Sequence, residues 1–220
     1  MNFRFDVIWE QLPAFANGLW NTVWLCSVGT ALSLVVGIAL VLPLVARSKL
    51  VRLPVLLLVE GARAIPFLIL AYLVYYGLPS LGVTLDSSST AILTIVLYNA
   101  AYIAEILRAA WANLPPGQTE AARAYGFAGF KLLRRIILPQ ILIASIPVIG
   151  NQLIQVIRDS SFLSIITVPE LTFTAKTIQA DYFVPFESFM TAAVLYWLLC
   201  LVVEYGVKRL EFARNLYGKY

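Results

Sequence analysis

Apolar residues gather in five long blocks, at about 19–45, 53–78, 90–111, 139–157 and 189–207, and polar stretches with turn signals separate them. A helix that crosses a bilayer needs roughly 20 mainly apolar residues, and each block meets or nearly meets that length. The pattern predicts an all-α polytopic membrane protein, one domain over 1–220 with five transmembrane helices. Asn21, Thr22, Ser27, Thr30 and Ser33 lightly interrupt the first block, and with Gly29 and Gly37 they suit close helix packing in lipid. Pro66 should bend the second block, and Pro147 and Gly150 should break the fourth. The stretch 158–187 reads as a long mixed connection, and 208–220 as a short tail.

Composition strengthens this picture. The chain is 60% hydrophobic and 13% charged, with a mean hydropathy of +0.83. A water-soluble domain of this size cannot hide that much apolar surface. The sequence has no histidine, which removes the usual zinc ligands and the commonest proton shuttle. No metal, cofactor or nucleic-acid partner is expected. Cys26 and Cys200 stand singly inside apolar runs and read as small core residues. The first sixteen residues set Arg4 against Asp6 and Glu10, unlike the basic start of a signal peptide.

Charge distribution predicts orientation. Arg47, Lys49 and Arg52 follow the first block; Arg108, Arg123, Lys131, Arg134 and Arg135 follow the third; Lys208, Arg209, Arg214 and Lys219 follow the fifth. With five crossings these regions share one face, the cytoplasmic one by the excess of basic residues. The N-terminus is then outside and the C-terminus cytoplasmic.

The one long polar-to-amphipathic stretch between two strongly apolar blocks is 115–138. Pro115-Pro116-Gly117 opens it, a short helix carries Glu120, Ala121 and Ala122, and Gly126 can take the left-handed conformation that ends a helix. A second helix should start near Phe127. Phe127, Phe130, Leu133 and Ile137 would form its apolar face, with Lys131, Arg134 and Arg135 opposite.

Glu120-Ala121-Ala122, Gly126 and Ile136-x-Leu138-Pro139 resemble the EAA loop of the permease subunits of binding-protein-dependent ABC importers. In that family the loop forms a cytoplasmic coupling helix seated in a groove of the ATP-hydrolysing subunit. The resemblance implies such a role for Gln118, Glu120, Ala121, Ala122, Arg123, Gly126 and Phe127. It also implies two copies of an ATP-binding subunit, a second permease subunit (identical or homologous), an extracytoplasmic substrate-binding protein and a bacterial cytoplasmic (inner) membrane location. Two further runs are similar to the polar-amino-acid branch. Ala101-Tyr102-Ile103-Ala104-Glu105-x-x-Arg108 matches its AYxAExxR pattern. Pro147-x-x-x-Asn151, leading to Arg158-Asp159-Ser160-Ser161-Phe162, matches another, with Arg158 for the usual Lys and Phe162 for the usual Leu. Where many members read R-G-T-P-L-L-V-Q, this chain has Arg63-Ala64-Ile65-Pro66-Phe67-Leu68-Ile69-Leu70, a more apolar wall.

Charges inside a span cost about 2.5–3.5 kcal/mol each on insertion scales, so they face protein or a watery cavity. Glu60 and Arg63 are three apart and could pair on one helical face. An amino acid carries an ammonium and a carboxylate a few ångströms apart. Asp159 suits the first and the Arg63 guanidinium the second, beside the bend at Pro66. Asn151 and Gln155 lie on one helical face leading to Asp159, and Ser160 and Ser161 add hydroxyls. The competing reading makes Asp159 and Ser160 helix caps. Tyr72, Tyr75 and Tyr76 read as interfacial anchors.

The reading is thus a permease subunit that translocates an amino acid by alternating access. The chain contains no phosphate-binding G-x-x-x-x-G-K-[ST] loop, so ATP hydrolysis belongs to a partner and no residue here is catalytic. The rival is an ion-gradient-driven secondary transporter or channel, for which the intramembrane carboxylates speak. That rival leaves the 115–138 stretch without a role.

Overall fold

One face of the first long helix explains how the bundle closes. In the computed structural model, which describes residues 3–217, α2 spans Leu12–Leu44. Gly18, Thr22, Cys26, Gly29, Ser33, Gly37 and Val41 form its buried seam at spacings of three and four. Helix α5, Ser87–Ala112, lies against that seam. A Cβ added to Gly29 would stand 2.6 Å from Ile95 Cγ2, and one on Gly37 the same distance from Ile103 Cγ2. Only hydrogen fits there, and small residues let the backbones approach where lipid offers no hydrophobic drive for association. Thr22 and Ser33 turn their hydroxyls onto the carbonyls of Gly18 and Gly29, so the seam holds no stray donor at either position.

Around this pair lie a short α1, Phe5–Glu10, then α3, Lys49–Ala64, α4, Phe67–Ser80, α8, Leu138–Asp159, and α10, Pro185–Tyr217. Trp20, Trp24, Val35, Leu57, Leu58, Trp197 and Val202 are exposed, as lipid-facing side chains are. Among the described residues, four helical runs are long and apolar enough to cross a membrane: Leu12–Leu44, Ser87–Ala112, Gly129–Ile166 and Pro185–Phe212. The expected second crossing is broken. α3 and α4 meet at 106°, and together they make a fifth crossing if the pair is one interrupted span. Ile65 is extended (φ −79°, ψ 131°), the conformation that a following proline imposes.

Other boundaries also differ from expectation. Pro147 and Gly150 do not break α8, because neighbouring helices enclose it on the Gly150 side. The 158–187 connection is largely helical, a 3₁₀ turn over Ser160–Ile166 followed by α9, Leu171–Tyr182. The supposed tail is the last part of α10, continuous to Tyr217; Lys219, counted above, lies outside the described residues. Beyond α5, α6 spans Pro116–Ala124 and α7 spans Gly129–Leu132, and a π-turn over Leu133–Ile137 runs into α8.

Candidate functional site: coupling surface and polar path

α6 ends in a Schellman motif. The Phe127 N–H donates to the Ala122 carbonyl at 3.0 Å and the Gly126 N–H to the Arg123 carbonyl at 2.9 Å. Gly126 has φ +81°, the left-handed value the motif demands. The turn presents Gln118, Glu120, Ala121 and Arg123 to the outside, while Ala122 faces inward. Ala122 packs in one cluster with Val41, Ile103, Leu107, Leu132, Ile137 and Ile141, and Phe127 lies half-buried against it. Ala122 therefore fastens the loop to its own bundle, and its neighbours form the free face. Tyr125, 85% exposed, and Phe130, 70% exposed, join that face. Neither role was read from the sequence: Phe130 was expected inward and Leu132 is buried in its place. The cause is the π-turn, whose wider winding rotates the apolar face relative to a 3.6-residue repeat.

The second candidate region is a polar line on α5. Tyr98, Tyr102 and Glu105 recur at helical spacing and are half-buried, while Asn99, Ile103 and Ala104 behind them are buried. Arg63 stacks on the Tyr102 ring, its Cζ 5.3 Å from the centroid. The Tyr102 hydroxyl donates to the Arg63 carbonyl at 3.3 Å and lies 3.2 Å from the Tyr98 hydroxyl. Pro66 sits beside this cluster at the α3–α4 break, where Phe67 meets Tyr98 edge to face. Arg108 grips Glu105 with two bonds, of 2.6 and 2.8 Å. The Glu60–Arg63 pair read from the spacing does not form. Glu60 is exposed and Arg63 turns to Tyr102, where its guanidinium stacks on the ring while its buried Nε has no hydrogen-bond partner among the described residues.

Asp159 lies at the far end of α8, 9% exposed, and accepts from Gln155 Nε2 at 2.9 Å. Arg63 is engaged by Tyr102 and Asp159 by Gln155, and no hydrogen bond or ion pair joins the two charges. Asn151 and Gln155 are exposed along the same face of α8. Ser160 is fully buried and donates to the Ile157 carbonyl, and Ser161 donates to the Arg158 carbonyl. Both hydroxyls are thus engaged by backbone in this conformation. Tyr72 and Tyr75 pack against the core, and Tyr76 alone is strongly exposed. Tyr98 was the functional candidate missed from the sequence. Its signal was available: it stands one turn before Tyr102 on a face with no large aliphatic residue.

A helical bundle with a polar line through it and a free, rigid loop at one end is a translocation subunit worked by another protein. The comparisons agree. The family described as "Binding-protein-dependent transport system inner membrane component" matches residues 29–214. The chain is 32% identical over 193 residues to the probable amino-acid ABC transporter permease protein YckA of Bacillus subtilis (strain 168), spanning 88% of this chain and 85% of that one. It is also 32% identical over 213 residues to the glutamine transport system permease protein GlnP of Escherichia coli (strain K12), spanning 96% and 97%. Among solved structures, a crystal structure of an amino acid ABC transporter with histidines matches with TM-score 0.88 at 27% identity, over 97% of this chain and 100% of that one. An inward-facing MetNI methionine ABC transporter matches with TM-score 0.82 over 93% and 98%, and at 20% identity it speaks for the fold alone.

The chain belongs to the binding-protein-dependent transport system inner membrane component family. It is a multi-pass permease subunit of an ABC importer, itself non-catalytic, that works with an ATP-binding subunit and a substrate-binding protein. The gradient-driven carrier is not favoured.

Proposed function

We propose that this permease moves an amino acid inward across a bacterial cytoplasmic membrane by alternating access, with its N-terminus outside and its C-terminus in the cytoplasm. Two copies of the ATP-binding subunit and a second permease subunit, identical or homologous, complete the importer. Gln118, Glu120, Ala121, Arg123 and Gly126 seat in a groove of the ATP-binding subunit, and Ala122 and Phe127 hold them rigid from behind. Closure of the two ATPases rocks the helices around the central path. Arg63, Pro66, Asn151, Gln155, Asp159, Ser160 and Ser161 line that path. Arg63 is held on Tyr102 and makes no bond to Asp159, which supports the two charges acting in succession along the route, with the ammonium at Asp159.

The carrying observation is Asp159 itself, a nearly buried carboxylate inside the Gly129–Ile166 span, with Gln155 and Arg158 as its polar neighbours. The names of the relatives support the substrate class. The test is ATP-driven uptake by the whole complex in proteoliposomes, using whichever amino acid the wild type takes from a radiolabelled mixture. Asp159→Asn should raise KM about tenfold or more, equivalent to about 1.4 kcal/mol of lost binding. An unchanged KM, with the variant complex assembled, returns Asp159 to a structural role.

A further inference from the structure

Leucines and cations interleave at the start of α3. Leu50, Leu53, Leu57 and Leu58 are all exposed and recur at helical spacing, so one apolar stripe runs down the helix. Leu50 is 89% exposed. In a chain that spans the membrane, such a stripe is a face for acyl chains. Arg47, Lys49 and Arg52 are exposed at the end where the stripe begins. The first turn of α3 holds no acidic residue and no side chain caps it, so Lys49 and Arg52 stand against the positive end of the helix with no anion of their own to offset them. A second cationic group lies nearby: Lys131, Arg134 and Arg135, exposed on α7 and the π-turn. Val45, just past α2, packs with Leu133 and Ile136 on the cluster around Ala122, which brings both groups to one end of the bundle. The sequence has no Asp or Glu from Gln11 to Val59 or from Ala121 to Arg158. Among the described residues, none of these six cations makes an ion pair. No charge interrupts the chain between Arg135 and Arg158, about 33 Å of helix, which matches a hydrocarbon layer of about 30 Å. Arg134 and Arg135 therefore stand at a boundary of that span, at the level of lipid headgroups.

We infer that this end of the bundle binds an anionic phospholipid, with its acyl chains along the leucine stripe of α3 and its phosphate among Arg47, Lys49 and Arg52. Arg134 and Arg135 extend the same cationic rim. Long Lys and Arg stems cover apolar surface while their heads reach the phosphate. Recognition is by charge, and each cation near an anionic headgroup is worth about fivefold in binding. Phosphatidylcholine carries its own cation beside the phosphate and gains little from the rim. The surface uses neither Asp159 nor the exposed residues of α6, so lipid binding is separable from substrate binding and from the grip of the ATP-binding subunit.

The experiment titrates phosphatidylglycerol, and separately phosphatidylcholine with the same acyl chains, into the assembled importer in detergent, and counts bound lipid by native mass spectrometry. The wild type should bind phosphatidylglycerol about tenfold or more tightly, and the preference should shrink as salt rises from about 0.1 M to about 1 M. The variant combining Arg47→Gln, Arg52→Gln, Arg134→Gln and Arg135→Gln should bring the two lipids within about twofold of each other. Changing the same four arginines to lysine should keep the preference. Lys176→Gln with Lys208→Gln and Arg209→Gln removes charge elsewhere and should also keep it. The same spectra report whether the ATP-binding subunit remains bound. A wild type that binds both lipids equally, or whose preference ignores salt, overturns the inference even where the glutamine variant does not assemble. A preference that the glutamine variant retains does so as well, and if that variant also sheds the ATP-binding subunit, the cations belong to that partner instead. An equal loss in the control variant traces the effect to net charge and likewise removes this surface.

Discussion

Glu170 shows how a single residue fixes the end of the bundle that carries α9. It is fully buried and accepts from the Thr172 and Phe173 N–H groups at 2.8 and 2.7 Å, so it caps α9. The Tyr196 hydroxyl of α10 donates to the same carboxylate. The Leu171 N–H donates to Thr22 Oγ1 of α2, and Asn21 donates to the Pro169 carbonyl. One turn of chain thereby ties α9 to both long helices that frame it. Burial pushes the Glu170 carboxyl above its ordinary value of 4.5, and the Tyr196 bond and the two N–H bonds oppose that rise. The fold therefore binds this proton more tightly than the unfolded chain does. Its contribution is fully present below about pH 4.5 and is lost as pH rises through the folded value. Thermal unfolding of the purified complex across that window should show a decline in the wild type that Glu170→Gln lacks. Parallel curves would remove the role of burial. Glu170→Ala should cost about 1–3 kcal/mol, since it strands two N–H groups and a hydroxyl.

Among the elements, the α2–α5 seam bears the most structural weight. Gly29→Leu would drive a side chain into Ile95, where the distance is already 2.6 Å at Cβ. A loss of about 1–3 kcal/mol is expected, and a thermal melt in detergent measures it. The same substitution at Gly61, where a Cβ meets nothing within 4 Å, should be nearly silent, and equal losses at both would contradict the seam. Pro66→Ala tests the broken span. It frees Ile65 from its extended state, and spin-label distances across α3 and α4 should then show the 106° bend relaxing. These elements also mark what was legible in the sequence. Thr22, Gly29, Ser33 and Gly37 announced part of the α2 seam, although Ser27, read with them, is exposed, and Pro115-Pro116-Gly117 with Gly126 announced α6. α9 was not legible, because Thr172, Thr174 and Thr177 weaken its propensity and its stability comes from the Glu170 cap and packing. The π-turn gave no warning, since an inserted residue leaves composition unchanged while rotating every later position. The length of α10 was hidden by its charges, since Glu204, Lys208 and Glu211 interrupt the apolar run without interrupting the helix.

At the scale of the whole molecule, the chain is a gate with its handle at one end. The residues proposed to line the path sit on α3, α5 and α8, and the cluster around Ala122 packs the exposed loop against α5 and α8. On the proposed reading, this packing carries motion of α6 to the helices that line the path. The grip on that handle is the central claim, and the amount of ATP-binding subunit that co-purifies with the chain tests it most directly. Glu120→Lys reverses a charge on the free face and touches nothing in the core, and Gly126→Val strains the left-handed turn at φ +81°. Each variant should reach the membrane at wild-type levels and retain about a tenth or less of the partner. Full retention of the ATP-binding subunit by both variants would contradict the account.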